Sequence, residues 1–172
     1  ILKRDIPVTV EIEVRNRIGE VVEQAVNITG DIPGSDLKDE IVMIGAHFDT
    51  WHASPNASDN TSGVAVVLEA ARILKAVGAK PRRTIRIALW SGEEQGLLGS
   101  VAYAAKHTAE MPNVQAVLVL DNGTGMITGQ ALQGRNQDAQ LWRDLLAPVA
   151  SLGASKVREA NKGGTDHLAF TP

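Results

Sequence analysis

Histidine and carboxylate, the side chains that hold metals and move protons, stand at the ends of apolar runs in this chain. The run Ile41 to Ala46 stops at His47, and Asp49 follows two positions on. Both side chains point to one face while an extended backbone persists. Ten residues further, Asp59 sits in a Ser/Asn/Gly-rich loop just before an apolar-periodic stretch. A second run, Arg83 to Trp90, breaks at a Gly-bounded loop holding Glu93 and Glu94, and a third, Val114 to Leu120, ends on Asp121. His167 lies in a Gly-rich loop near the C-terminus. The chain has no cysteine, which excludes disulfides, thiolate zinc sites and a Cys nucleophile. Any metal must therefore be held by imidazole and carboxylate.

Taken singly, each residue has an ordinary structural reading. A strand-end Asp is usually a cap or turn former, and a Glu-Glu pair in a loop is usually solvated charge. His107 ends a predicted helix, where a cation suits the dipole, and His52 has no partner at ligand spacing. Asp5, Asp31, Asp36, Asp39 and Asp138 read as surface or turn residues. The joint pattern carries more weight, because ends of parallel strands lie on one edge of a sheet, where open α/β folds place their sites.

The elements that position these residues follow from periodicity. Val8 to Arg15 alternates apolar and polar and predicts a half-exposed strand, with a turn at 17–20 and a hairpin partner over Val21 to Thr29. Glu40 to Ala46 predicts a strand buried on both faces. Gly63 to Val77 has helical spacing and stops at Gly78; a strand over Arg83 to Trp90 and a helix from Leu97 to about His107 follow. Beyond the Val114 to Leu120 strand come an edge strand over Met126 to Leu132, a helix over Asp138 to Leu152 and a short strand at Ser155 to Arg158. Strands alternating with helices after residue 40 imply parallel βαβ units, and the hairpin implies antiparallel strands at the edge. The expected architecture is α/β, three-layer αβα, with a mixed, mostly parallel twisted sheet.

At 172 residues, with 44% hydrophobic and 22% charged residues, the chain is a single globular domain able to bury a core. Residues 1–34 read as the hairpin and lead-in, and 35–172 as the metal-binding core. A net charge of −3 provides no electrostatic footprint for nucleic acid or an anionic membrane. Aromatic content of 3% argues against a base-stacking platform, and no apolar stretch approaches a membrane span. Sequons at Asn27, Asn56, Asn60 and Asn122 read as loop-building residues, since a glycan on Asn60 or Asn122 would block the adjacent carboxylate.

Five ordered segments resemble the M28 family of zinc metallopeptidases, in particular its carboxypeptidase Q-like branch. They are Gly45 to His52 (GAHFDTWH), Ala57 to Gly63 (ASDNTSG), Leu89 to Ser100 (LWSGEEQGLLGS), Leu120 to Gly125 (LDNGTG) and Gly163 to Phe170 (GGTDHLAF). The resemblance runs from about residue 35 to the end. It implies a phosphorylase/hydrolase-like fold and two zinc ions per chain. His47 and Asp121 would bind one ion, Glu94 and His167 the other, and Asp59 would bridge them. Glu93 would be the general base, with Asp49 orienting His47 through its non-ligating nitrogen. A cis peptide after the bridging Asp, here Asp59-Asn60, is also implied.

The implied activity is exopeptidase hydrolysis at peptide N-termini or of dipeptides by metal-activated water, in a secreted or periplasmic protein. Two other readings belong to the same architecture. One is a glutaminyl-cyclase-like acyltransferase with one zinc, against which the complete ligand set weighs. The other is a non-catalytic peptidase-like binding domain, against which the intact base and ligands weigh. The family's domain ordinarily continues past the last His ligand, so a catalytic-domain fragment incomplete at its C-terminus is expected, with free sheet edges that invite association. The His52 to Ala57 loop is less Gly-rich than is usual in the branch.

Overall fold

The computed structural model describes residues 9–15, 17, 24–121 and 123–171. Four strands form the main sheet: β1 (Ile28–Ile32), β2 (Leu37–His47), β3 (Arg83–Trp90) and β4 (Val114–Val119), in the order β1-β3-β2-β4. β2 runs parallel to both β3 and β4, and β1 closes one side antiparallel to β3. Helix α1 (Thr61–Ala76) links β2 to β3, and helix α2 (Leu98–Lys106) carries the chain from β3 across β2 to β4.

Alternation along β2 and β3 sorts the core into two layers. Met43, Ala88 and Trp90 face Tyr103 of α2, backed by Met111, Val117 and Phe170. Ile44, Ala46, Ile87 and Leu89 face Val64 and Val67 of α1. One helix thus covers each face, the three-layer arrangement expected. The Trp90 and Tyr103 rings meet edge-on at 5.1 Å, which adds geometric preference to the apolar burial. Arg86 reaches out from β3 to tie Asp31 of β1, the Tyr103 hydroxyl and Glu110 into one charged cluster, each contact at 2.7–2.8 Å.

Register puts the strand ends level. His47 pairs with Trp90, and Gly45 pairs with Val119, so the segment just after β4 continues alongside the end of β2. The chain reverses at these carboxyl ends, with α1 leaving toward β3 on one side and β4 arriving on the other. Open α/β sheets place their sites at strand ends where connections diverge in this way.

Several expected elements differ. Residues 9–15 adopt no regular secondary structure, and Val10, Ile12 and Val14 are exposed. The turn predicted at 17–20 and the start of its partner strand fall largely outside the described residues; the end of that partner is realised as the beginning of β1. The expected edge strand near Met126 shrinks to β5 (Gly129–Ala131), which pairs with β6 (Lys156–Arg158) in a separate two-stranded sheet. The helix expected over Asp138 to Leu152 is α-helical only over α3 (Ala139–Leu146). Pro148, lacking an N–H, hands it to a 3₁₀ segment, Ala147–Leu152. Leu141, Leu145 and Leu152 stay exposed, because no described element packs over them.

Met43 is fully buried at the centre of the α2-side core. Met43→Ala should therefore cost about 2–5 kcal/mol in urea denaturation at unchanged m-value. A loss below about 0.5 kcal/mol would place this residue outside the core.

Candidate metal centre

His47 ends β2 with its ring 1% exposed, and its two nitrogens face different structures. Nδ1 lies 3.2 Å from the Asp49 carbonyl oxygen and 3.5 Å from Asp49 Oδ1. Its neighbours there are acceptors, so it carries the proton. Nε2 is left pointing at Asp59 Oδ1 and Asp121 Oδ1, each at 3.1 Å, with Glu93 Oε2 at 3.9 Å.

Asp49 holds more than the histidine. Its carboxylate oxygens accept the backbone N–H groups of Glu93 at 3.1 Å and Glu94 at 3.2 Å. The loop after β3 is thereby fastened to the loop after β2. Gly92, at φ +68°, makes the sideways turn that a side chain would resist, and the Glu93 carbonyl accepts from Gly96 and Leu97 at 2.9 Å each. From the other side Asn27 spans the loop, accepting from the Ser91 N–H at 3.1 Å and donating to the Gly99 carbonyl at 2.8 Å. The adjacent Glu93 and Glu94 side chains are held in this frame, Glu93 buried and Glu94 half-buried.

On the α1 side the chain passes Asp59, 62% exposed, through a cis Asp59-Asn60 peptide into the helix. Asn60 caps α1 by accepting from the Gly63 N–H at 3.1 Å. It also donates to the Leu120 carbonyl at 2.8 Å, the residue before Asp121. The amide groups of Asn27 and Asn60 are both committed to backbone carbonyls, in keeping with a structural reading of those sequons. Asn122 lies outside the described residues.

Two overlapping sets of ligand atoms result, His47 with Asp59 and Asp121, and His47 with Glu93 and Glu94, each within 4.8 Å of one another. Among the described residues, the cationic group paired with Asp59, Glu93 and Asp121 is His47 itself. Carboxylates gathered about one imidazole without a Lys or Arg repel one another until a cation enters. Oxygen and imidazole donors at this spacing suit zinc, so the residues fit the ion that the family resemblance implies.

His167 is not in either set. It sits in the 3₁₀ segment Asp166–Phe170 with Nε2 against the Gln133 amide and 3.0 Å from the Lys162 carbonyl oxygen. Its neighbour Asp166 is wholly buried, with both carboxylate oxygens unpartnered. His107 caps α2, stacks on Tyr103 at 4.2 Å and pairs with Glu110 at 3.2 Å, as its helix-end reading requires. Sequence reasoning missed the bracing by Asn60 and Asn27 and the grip of Asp49 on the Glu93-Glu94 backbone. An Asn just before a helical run is a readable cap, but its second bond to β4 is not local in sequence.

Electrostatics follow from this crowding. Burial opposes a charge on His47, yet the Asp121 hydrogen bond and the charges of Asp121, Glu93 and Asp49 win, lifting it to about 9. Burial pushes Glu93 up to about 7, the nearby carboxylates adding to it and His47 opposing. Burial raises Glu94 as well. In the metal-free protein both His47 and Glu93 hold protons to higher pH when folded than when unfolded. The folded state thus binds more protons, and stability falls as pH rises. The melting temperature of chelator-treated protein should drop as pH rises from about 4.5 to about 9, through Glu93 up to about 7 and through His47 from about 6.5 upward, and saturating zinc should flatten that dependence. A metal-free melting temperature that rises across the same window would contradict this account.

Comparison with known proteins agrees with the geometry. The model of peptidase family M28 matches residues 27–172. Carboxypeptidase Q of Mus musculus is 31% identical over 140 residues, covering 81% of this chain and 30% of that protein. A peptidase M28 precursor of Shewanella amazonensis superposes with a TM-score of 0.76 at 34% identity, covering 82% of this chain and 32% of the other. A zinc aminopeptidase from Bacillus subtilis gives 0.66 at 29%, covering 84% and 36%. The chain thus spans about a third of the length of these proteins. With the family model matching well over half of its length, residues 27–172, the chain belongs to peptidase family M28.

Proposed function

We propose that this chain carries the metal-binding part of a zinc-dependent exopeptidase that hydrolyses peptide bonds at N-termini or in dipeptides. The observation that carries the reading is the approach of Asp59 and Asp121 to one imidazole nitrogen at 3.1 Å, with the buried Glu93 carboxylate 3.9 Å away. By the family resemblance His47 and Asp121 would hold one ion and Glu94 and His167 the other, with Asp59 shared, and His167 would have to turn from its contacts with Gln133 and Lys162 to take part. Two bound zinc ions supply Lewis acidity toward the scissile carbonyl and lower the pKa of an attacking water.

The chain's own residues do the rest. Glu93 is the proton carrier. Its carboxylate is set beside the ligands, 3.9 Å from His47 Nε2, where it accepts a proton from water and returns it to the leaving amine. Asp49 holds the Glu93 and Glu94 backbone amides, so the base and a ligand keep fixed places on adjacent residues. The Asp49 carbonyl and carboxylate keep the His47 proton on Nδ1 and free Nε2 for the ion. The substrate is a peptide or dipeptide. No helix among the described residues is long and apolar enough to cross a membrane, and the family resemblance favours a secreted or periplasmic setting.

Metal content per chain tests the site directly. About two zinc ions, falling in Asp59→Asn, support the bridged pair; one ion favours a cyclase-like site; none in a folded sample rejects the reading. Glu93→Gln should lower turnover by about 10²- to 10⁴-fold with metal content unchanged. Full activity in that variant would remove Glu93 from the role of base.

A further inference from the structure

We infer that Asn60 is a positioning residue that fixes the spacing between Asp59 and Asp121 and so sets the zinc affinity of the site at His47. The inference rests on the metal-site reading above and assigns a function to a side chain that is not itself a ligand.

The geometry has three parts. First, Asn60 is 1% exposed, with both ends of its amide in use. Oδ1 accepts from the Gly63 N–H at 3.1 Å, and Nδ2 donates to the Leu120 carbonyl at 2.8 Å. Second, the bond joins the two carboxylates by the shortest covalent path, since Asp59 precedes Asn60 and Asp121 follows Leu120. Third, the space is shaped for it. A Cβ at Gly63 would overlap Asn60 Oδ1 and lie 2.5 Å from the Leu120 carbonyl oxygen, so the helix start admits only glycine where the amide is wedged against β4.

Little else holds Asp59. It is 62% exposed and follows a loop whose residues are largely exposed, and the hydrogen bond to its backbone carbonyl comes from the Thr50 hydroxyl at 3.1 Å. Asp59 and Asp121 repel each other in the absence of a cation, so an unbraced Asp59 moves outward to solvent. Asn60 opposes that movement and keeps the pair close enough to His47 Nε2 to meet one ion. The task needs a donor and an acceptor on one short planar group. Aspartate is isosteric but cannot donate when ionised, and serine caps the helix but does not reach β4.

The test is a competition titration of zinc against a chromophoric chelator, on the full chain and on Asn60→Asp and Asn60→Ser. Both variants keep an N-cap acceptor for the Gly63 N–H, so loss of α1 is not forced, and serine avoids a buried charge if aspartate fails to fold. Ile41→Ala serves as a destabilised control, buried midway along β2 and six positions before His47. Zinc should bind about 10- to 100-fold more weakly to the Asn60 variants and with parental affinity to the control. Folded Asn60 variants within about twofold of the parent, or a control that weakens equally, would overturn the inference. A parent chain that binds no zinc would overturn the site reading and this inference together. Parental binding with undiminished variants would overturn only the inference.

Discussion

Mutual repulsion among carboxylates gathered at one imidazole, Glu93 buried, Asp121 half-buried and Asp59 exposed, is the constraint on which this structure turns. Asp59, Asp121 and Glu93 all lie within 4 Å of His47 Nε2, and that imidazole is the cation they share among the described residues. No folded chain gathers such groups without bracing, because each would lower its energy by turning to water. The bracing is polar and specific. Asp49 grips two amides of the Glu93-Glu94 loop, Asn27 spans the same loop from behind, and Asn60 ties the start of α1 to the end of β4. The consequence is a set of donors arranged before any ion arrives, with His47, Glu93 and Glu94 holding their protons more tightly than usual.

The sheet supplies the platform for that bracing. Parallel pairing of β2 with both β3 and β4 brings their carboxyl ends level, and one helix packs on each face of the sheet. The Met43, Ala88, Trp90 and Tyr103 layer is rigid apolar packing directly behind His47, Trp90 being the residue in register with it. A ligand anchored on a packed strand end keeps its direction better than one on a free loop. The loop residues Asp59, Glu93 and Glu94 gain comparable definition only through hydrogen bonds to backbone.

Much of this was legible in the sequence. The strand over Arg83 to Trp90 appears with its expected bounds, and the helices after Asp59 and after Glu94 appear within a few residues of theirs. The αβα layering follows from alternation of strand and helix patterns, and the candidate residues at the strand ends meet as parallel pairing demands. The part misjudged was where local pattern had no partner to satisfy it. Val10, Ile12 and Val14 alternate like a strand but pack on nothing among the described residues, and the leucine face of α3 is likewise uncovered. Alternation and helical periodicity report what a segment can bury, whereas burial itself requires an opposing surface.

By itself, then, the sequence determined the family, the order of strands and helices, and which histidines and carboxylates stand at strand ends, since residue type and period are local properties. Only the tertiary structure decided which atoms meet. It turned His47 Nδ1 toward the Asp49 carbonyl and Nε2 toward Asp59 and Asp121, and it gave the Asp49 carboxylate to the Glu93 and Glu94 amides. It left His167 against Gln133 and Lys162 and joined Asn60 to Leu120 across 60 positions of chain. Hydrogen bonds between segments remote in sequence depend on register and on the crossing of elements, and neither is encoded in any single stretch.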